Sequence, residues 1–208
     1  MKLFENLGLS LQLITAINRL GLKEPTQIQE QSIPFVIKGK DVIGESATGS
    51  GKTLVFGCGI IEKVNPGKGL QALILTPTRE LAEQVTGSLR KISYKKPLNI
   101  ISIYGGVSIN PQIHNLTKTD VVVATPGRLL DHLQRRTINL SKIKVLVLDE
   151  ADRMFDMGFI EDVEKIIKQC PRERQTMFFS ATMSSAIRKL ANKYMSSPVS
   201  VSAVNQVD

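Results

Sequence analysis

The sequence predicts an α/β domain built on a doubly wound, mainly parallel β-sheet with helices on both faces. Seven short runs, at 41–44, 72–75, 100–104, 121–124, 145–148, 177–179 and 199–201, are continuously apolar and β-branched rather than alternating. That pattern marks strands buried on both faces. Helix-length amphipathic stretches separate the runs, as crossovers between parallel strands require. At 208 residues, 42% hydrophobic and 22% charged, the chain has an ordinary globular composition and enough length for one substantial core. Such folds hold ligands at the carboxyl ends of their strands, so the loops after the runs are where chemistry is expected.

The first run leads into Ser46-Ala47-Thr48-Gly49-Ser50-Gly51-Lys52-Thr53 and then a helix entered through Leu54-Val55-Phe56. Glycines let a backbone wrap an anion, a helix N-terminus offers free N–H groups, a lysine reaches phosphate oxygens, and a hydroxyl suits Mg²⁺. All stand here in P-loop order, with Ser46 in place of the leading Gly or Ala. Cys58 and Ile60 fall on the apolar side of that helix. The second run ends at Pro77-Thr78-Arg79 and a helix expected over 79–92. The third ends at Gly105-Gly106, where glycine permits close backbone approach. The fourth ends at Thr125-Pro126-Gly127-Arg128, before a helix expected over 129–135. Local chemistry alone reads that tetrapeptide equally well as a turn with proline starting a helix. An arginine beside free helix N–H groups, as at Arg79 and Arg128, makes a phosphate grip.

After the fifth run come Asp149, Glu150 and Asp152, carboxylates that repel one another unless a cation or base is near. Alone they read equally as an acidic helix cap or as a Walker B site. In a Walker B site Asp149 holds Mg²⁺ through water and Glu150 polarises the attacking water. The P-loop about 100 residues upstream favours the second reading. A helix is expected over 159–169, and the sixth run leads to Ser180 and Thr182.

Charge and composition narrow the function. Lys plus Arg number 27 against 19 Asp plus Glu, a net +8 that favours a polyanion partner. With no Trp and 5% aromatic residues, backbone phosphates fit better than an aromatic base platform. No run approaches the ~20 apolar residues of a membrane span, and no signal peptide is visible. Cys58 and Cys170 form no CxxC pair, which argues against zinc or a disulfide framework and for a reducing, cytoplasmic setting. His114 and His132 have no ligand partner nearby and are expected in exposed or capping roles. The basic clusters Arg90-Lys91-Lys95-Lys96, Arg135-Arg136 and Arg172-Arg174 read as solvated faces.

These motifs, in this order and spacing, resemble the N-terminal RecA-like domain of a DEAD-box RNA helicase over essentially the whole chain. Asp149-Glu150-Ala151-Asp152 stands at the motif that names the family. Gly21-Leu22-Lys23-Glu24-Pro25-Thr26-Gln27-Ile28-Gln29 looks like its Q motif, and Phe4 sits at its separate upstream aromatic. The resemblance implies an RNA-stimulated ATPase that uses ATP and Mg²⁺ to open short RNA duplexes. Gln29 reads the adenine edge, Phe4 stacks on the adenine, and Pro25 and Thr26 belong to the same adenine-side site, with Thr26 supporting the phosphate loop. Residues 46–53 hold the phosphates, and Thr53 and Asp149 serve Mg²⁺. Lys52, Asp149, Glu150, Asp152, Ser180 and Thr182 form the catalytic and coupling set, the last two bonding to Asp152. Pro77, Thr78, Arg79, Gly105, Gly106, Thr125, Pro126, Gly127 and Arg128 face RNA through its backbone, with little sequence specificity. Leu22 stands where the family commonly has Phe. Ala47 stands where many members carry a larger polar residue, so one polar contact near the phosphates is missing. The chain is expected to be a single domain, 1–208 with 1–30 as its Q-motif region. The family's second RecA-like domain, a partner with its own arginines, is absent, so weak ATP and RNA binding without unwinding is expected. A nucleotide-dependent RNA clamp and a related P-loop DNA helicase are the alternatives.

Overall fold

Each apolar run forms a strand in a computed structural model that describes residues 3–203. The strands are β1 (Val42–Glu45), β2 (Ala72–Leu75), β3 (Ile100–Ile103), β4 (Val121–Ala124), β5 (Val145–Leu148), β6 (Gln175–Ser180) and β7 (Val199–Ser202). They join in one sheet of order β3-β4-β2-β5-β6-β1-β7, every pair parallel. β1 lies between β6 and β7, with Val42 opposite both Met177 and Val199.

Alternate residues of each strand feed two separate cores. Val42, Ile74, Val123, Val147 and Phe179 face one side, packed with α1 (Leu11–Arg19), α2 (Gln27–Ile37), α3 (Lys52–Lys63) and α4 (Arg79–Ile92). Leu73, Leu75, Val122, Leu146 and Phe178 face the other. There they meet α5 (Asn110–Leu116), α6 (Pro126–Gln134), α7 (Ala151–Asp156), α8 (Ile160–Ile167) and α9 (Ser185–Tyr194). This two-sided burial is why the runs read as continuous. Each fully buried Leu or Ile contributes about 1.5–3 kcal/mol.

Helix starts follow side-chain chemistry. The Thr78 hydroxyl accepts from the Leu81 N–H and opens α4 at Arg79, and Ser184 does the same for α9 through Ile187. Pro126 at the first position brings α6 forward from the expected 129. The helix expected over 159–169 is the shorter α8. The P-loop helix α3 departs from the expected amphipathic pattern. Every residue from Leu54 to Ile61 is buried, because α2 and α4 flank it against the sheet.

Several basic side chains expected on solvated faces are structural ties instead. Arg90 donates through Nε and Nη2 to the Ile100 carbonyl and holds β3 to the end of α4. Lys96 reaches the Ile61 carbonyl, and Arg174 holds Pro171 and Tyr194 carbonyls. His132 is fully buried, not exposed or capping, while His114 is exposed.

Candidate functional site: nucleotide and nucleic-acid motifs along one sheet end

The strand order divides the motifs into two neighbourhoods. β5, β6 and β1 are adjacent, so Asp149 to Asp152, Ser180 to Thr182 and the P-loop come together at their carboxyl ends. β3, β4 and β2 form the other half, which gathers Gly105-Gly106, Thr125 to Arg128 and Pro77 to Arg79.

The P-loop is held by its neighbours. Ser46 N–H donates to the Ser180 carbonyl at 2.9 Å and fixes the loop's root to β6. The Thr26 hydroxyl donates to the Ser50 carbonyl at 2.8 Å, and Gln29 Nε2 donates to the Gly51 carbonyl at 3.0 Å. Gln29 Oε1 accepts from Thr26 N–H at 2.9 Å, closing a capping box that starts α2. Gly51 has φ 89° and a Cβ there would run into the Gln29 amide, so only glycine fits. Ala47, Thr48 and Gly49 are exposed at the loop's crest; Thr53, in the first turn of α3, and Pro25 are half-buried. Half of Gln29's amide capacity is used by the protein; one N–H and one lone pair remain for a ligand. Phe4 is 3% exposed, in a short 3₁₀ turn (Phe4–Leu7) packed against α2 as part of the apolar core. In this state the ring offers no open face for stacking.

Lys52 and the acids form a buried charge cluster. Lys52 Nζ lies 3.1 Å from Asp149 Oδ1 and 3.9 Å from Glu150 Oε1. The Asp149 contact is an ion pair without an aligned hydrogen bond, and both Asp149 oxygens are buried with no hydrogen-bond partner. Burial pushes the Asp149 carboxyl above the usual carboxylate range, and Lys52 opposes that rise. Glu150 sits in the left-handed region at φ 53°, a conformation costing about 1–3 kcal/mol for a non-glycine residue. Its side chain caps nothing; Oε1 accepts from the Thr48 hydroxyl at 3.3 Å and Oε2 faces Arg153 Nη1 at 3.4 Å. Sequence reasoning missed Arg153, although an arginine three residues after a glutamate at a helix start is a readable pair. Asp152 points the other way. Its Oδ2 accepts from the Thr182 N–H and hydroxyl, each at 3.2 Å, and its own N–H donates to Ser180 Oγ at 3.2 Å. Asp152 thus turns away from the other two acids, while Asp149 and Glu150 share Lys52 and the Glu150 charge adds to the rise of the Asp149 carboxyl.

In the other half, Arg79 stacks its guanidinium over the Tyr104 ring at 4.7 Å and lies 3.9 Å from Glu83, to which Tyr104 donates its hydroxyl. Gly105 and Gly106 are exposed, Gly106 with φ 79°; Pro77 and Pro126 are buried beneath, with Thr78 and Thr125 half-buried and Gly127 exposed. Arg128, expected as a phosphate grip, turns inward. Both of its Nη groups donate to the Val107 carbonyl at 3.0 Å, and Nη1 also reaches Gln112 Oε1 at 3.3 Å. Gln112 Nε2 donates to the Tyr104 carbonyl and its Oε1 lies 2.9 Å from His132 Nε2. A carbonyl can only accept, so Gln112 presents its oxygen to His132, and His132 carries its proton on Nε2. Thr137 then donates to Nδ1 at 2.7 Å. Burial first, then the Arg128 charge, hold the imidazole below its usual pKa. Neither Gln112 nor His132 carries a sequence signal of this role.

A doubly wound parallel sheet with a P-loop after β1 and paired acids two strands away defines a RecA-like P-loop domain. The chain belongs to the DEAD/DEAH box helicase family, whose sequence model matches residues 26–190. It is 48% identical over 200 residues to the ATP-dependent RNA helicase CshA of Listeria monocytogenes, covering 95% of this chain and 38% of that protein. It is 48% identical over 197 residues to the DEAD-box ATP-dependent RNA helicase CshA of Bacillus subtilis, covering 94% and 40%. The chain thus spans well under half the length of these curated relatives. A crystal structure of a DEAD box protein from the hyperthermophile Methanococcus jannaschii superimposes with a TM-score of 0.94 at 45% identity, over 97% of this chain and 56% of that one. No helix among the described residues is long and apolar enough to cross a membrane.

Proposed function

We propose that this chain is the ATP-binding half of an ATP-dependent RNA helicase, a single domain over 1–208 with 1–30 as its Q-motif region. A second RecA-like domain of the same protein completes the enzyme. The observation that carries this reading is the adjacency of β1, β6 and β5, which puts the P-loop, Lys52, Asp149, Glu150 and Asp152 within one neighbourhood. Backbone N–H groups of residues 47–53 receive the phosphates, and Lys52 leaves Asp149 to meet their charge. Gln29 uses its spare N–H and lone pair on the adenine edge, and Phe4 reaches the ring only after its turn shifts out of the core.

The residues fit Mg²⁺. Both oxygens of Asp149 are buried without hydrogen-bond partners, and no group of three His, Cys, Asp or Glu forms a protein cage among the described residues. This is the donor set of an ion held through its waters by one carboxylate and the Thr53 hydroxyl. An Mg²⁺ ion held by Asp149 and Thr53 would supply neutralisation of charge on the phosphate oxygens. Glu150 Oε1, released from Thr48, holds and orients the attacking water, while Arg153 stays paired with Oε2. Asp152, bonded to Thr182 and Ser180, ties the acidic turn to the end of β6, so changes at the phosphates move that strand end. Exposed Arg79, Gly105, Gly106 and Gly127 contact the RNA backbone, supported from beneath by Pro77, Thr78, Thr125 and Pro126; Arg128 joins them only on leaving the Val107 carbonyl. The relatives named RNA helicases favour RNA over DNA.

Titrating the chain with a fluorescent ATP analogue and Mg²⁺, then with labelled single-stranded RNA, tests the reading. Saturable binding of both is expected, with nucleotide binding lost in Lys52→Ala and RNA binding weakened in Arg79→Ala. Unchanged nucleotide affinity in Lys52→Ala would remove its basis.

A further inference from the structure

We infer that the chain carries a second contact for single-stranded RNA, a basic groove at the opposite end of β3 from Gly105-Gly106. The inference rests on the RNA-binding reading above and extends it along the sheet edge. The groove has a volume of about 530 Å³ and lies between the end of α4, the start of β3 and the end of α5; Arg90, Tyr94, His114 and Lys118 mark its walls. A neighbouring depression adds Arg19 and Lys91. Neither is lined by any Asp or Glu. Asp120, next to Thr119 in the groove wall, turns its carboxylate inward onto the N–H groups of Gly67 and Asn99.

The cations lining these depressions, and Lys95 beside them over the Tyr94 ring, are not consumed by ion pairs. Lys91, Lys95 and Lys118 are exposed, and none has a carboxylate partner among the ion pairs of the described residues. Elsewhere Arg79, Arg135, Arg153 and Lys193 each face an acid. Tyr94 is 48% exposed at the centre, with the Arg19 guanidinium stacked 3.7 Å over its ring and Lys95 at 5.4 Å. A planar guanidinium on an aromatic ring is a surface on which a base can stack while lysines take phosphates. Unpaired cations around an exposed ring suit a flexible polyanion with planar bases.

Continuity with the motif surface selects RNA as that polyanion. β3 is an edge strand, and both β3 and α5 join the Gly105-Gly106 turn to the groove. From Ile100 to Gly105 the distance is about 17 Å at ~3.3 Å per residue. A stacked strand spans that with roughly five phosphates. RNA leaving the glycine turn along the β3 edge therefore reaches the groove after a few nucleotides, and short oligonucleotides do not.

The test compares Lys91→Gln/Lys95→Gln/Lys118→Gln with wild type on two single-stranded RNAs, one just long enough for the motif surface and one longer by roughly ten nucleotides. All three positions are exposed, and Arg90, which holds β3, is left intact. Wild type is expected to bind the longer RNA at least about tenfold more tightly, the triple variant to lose that advantage, and the short RNA to bind both alike. The salt slope for the longer RNA should fall by about 2, from three contacts at ~0.7 each. An unchanged length advantage overturns the inference, as does tighter groove-dependent binding of poly-glutamate than of RNA, which would assign the groove to an acidic protein. Arg79→Ala serves as the separate control. If it leaves short-RNA binding intact, the motif surface is misread, whatever the triple variant does.

Discussion

Glu150 concentrates the proposed chemistry and the backbone strain of the site in one residue. Its left-handed backbone aims the carboxylate back over the P-loop, where Thr48 and Arg153 hold it. Glu150→Gln keeps the backbone and the Thr48 contact but cannot take up a proton from water. In a protein that joins this domain to the proposed second RecA-like domain, turnover should fall by at least about 10², while ATP affinity in a binding titration stays within about threefold. His132 gives a pH signature at the same scale. Its folded pKa is lowered from 6.5, so the unfolded chain takes up the proton first. The neutral, buried imidazole keeps its full contribution above pH 6.5, and stability is lost as pH falls below that value toward the folded pKa. Urea denaturation should therefore show a smaller drop between pH 7 and about pH 5 in His132→Gln than in wild type. His132→Leu should cost about 1–3 kcal/mol at neutral pH, because Gln112 and Thr137 lose a buried partner.

At the scale of elements, α2 and α3 work as one unit. α3 starts in the P-loop, α2 carries Thr26 and Gln29, and the two helices meet where a Cβ on Gly59 would lie 2.6 Å from Val36 Cγ1. Gly59→Ala forces the helices apart and should cost about 1–3 kcal/mol by overpacking. Because Thr26 and Gln29 then move off the Ser50 and Gly51 carbonyls, nucleotide affinity should drop while RNA affinity holds, a split that paired titrations measure. The elements themselves were legible in the sequence. Runs such as 121–124 and 145–148 are buried on both faces and so are apolar at every position. The P-loop and acidic turn were legible as motifs because their residue types stand at fixed spacing after the first and fifth apolar runs. The order of strands was not, since nothing in the run at 145–148 names its neighbours. Side chains that act through geometry alone were equally hidden. Gln112 and His132 tie down Arg128 from α5 and α6, and Arg90 and Lys96 look like surface charges until their carbonyl partners are in place.

For the molecule as a whole, one sheet end carries both halves of the account. The motifs proposed to hold nucleotide follow β1, β6 and β5, those proposed to hold RNA follow β2, β4 and β3, and β2 beside β5 is the seam between them. Nothing in the described nucleotide site supplies an arginine aimed at transferring phosphate, since Arg153 is taken up by Glu150 and Arg128 by Val107. Such an arginine is worth about 10³–10⁵ in rate in P-loop enzymes. The most direct measurement is ATP turnover by this 208-residue chain, with and without single-stranded RNA, alongside ADP binding by calorimetry. Measurable ADP binding with negligible turnover in both conditions is the predicted result, the behaviour of a half-site that needs its second domain. Brisk, RNA-stimulated turnover by the chain alone would contradict it.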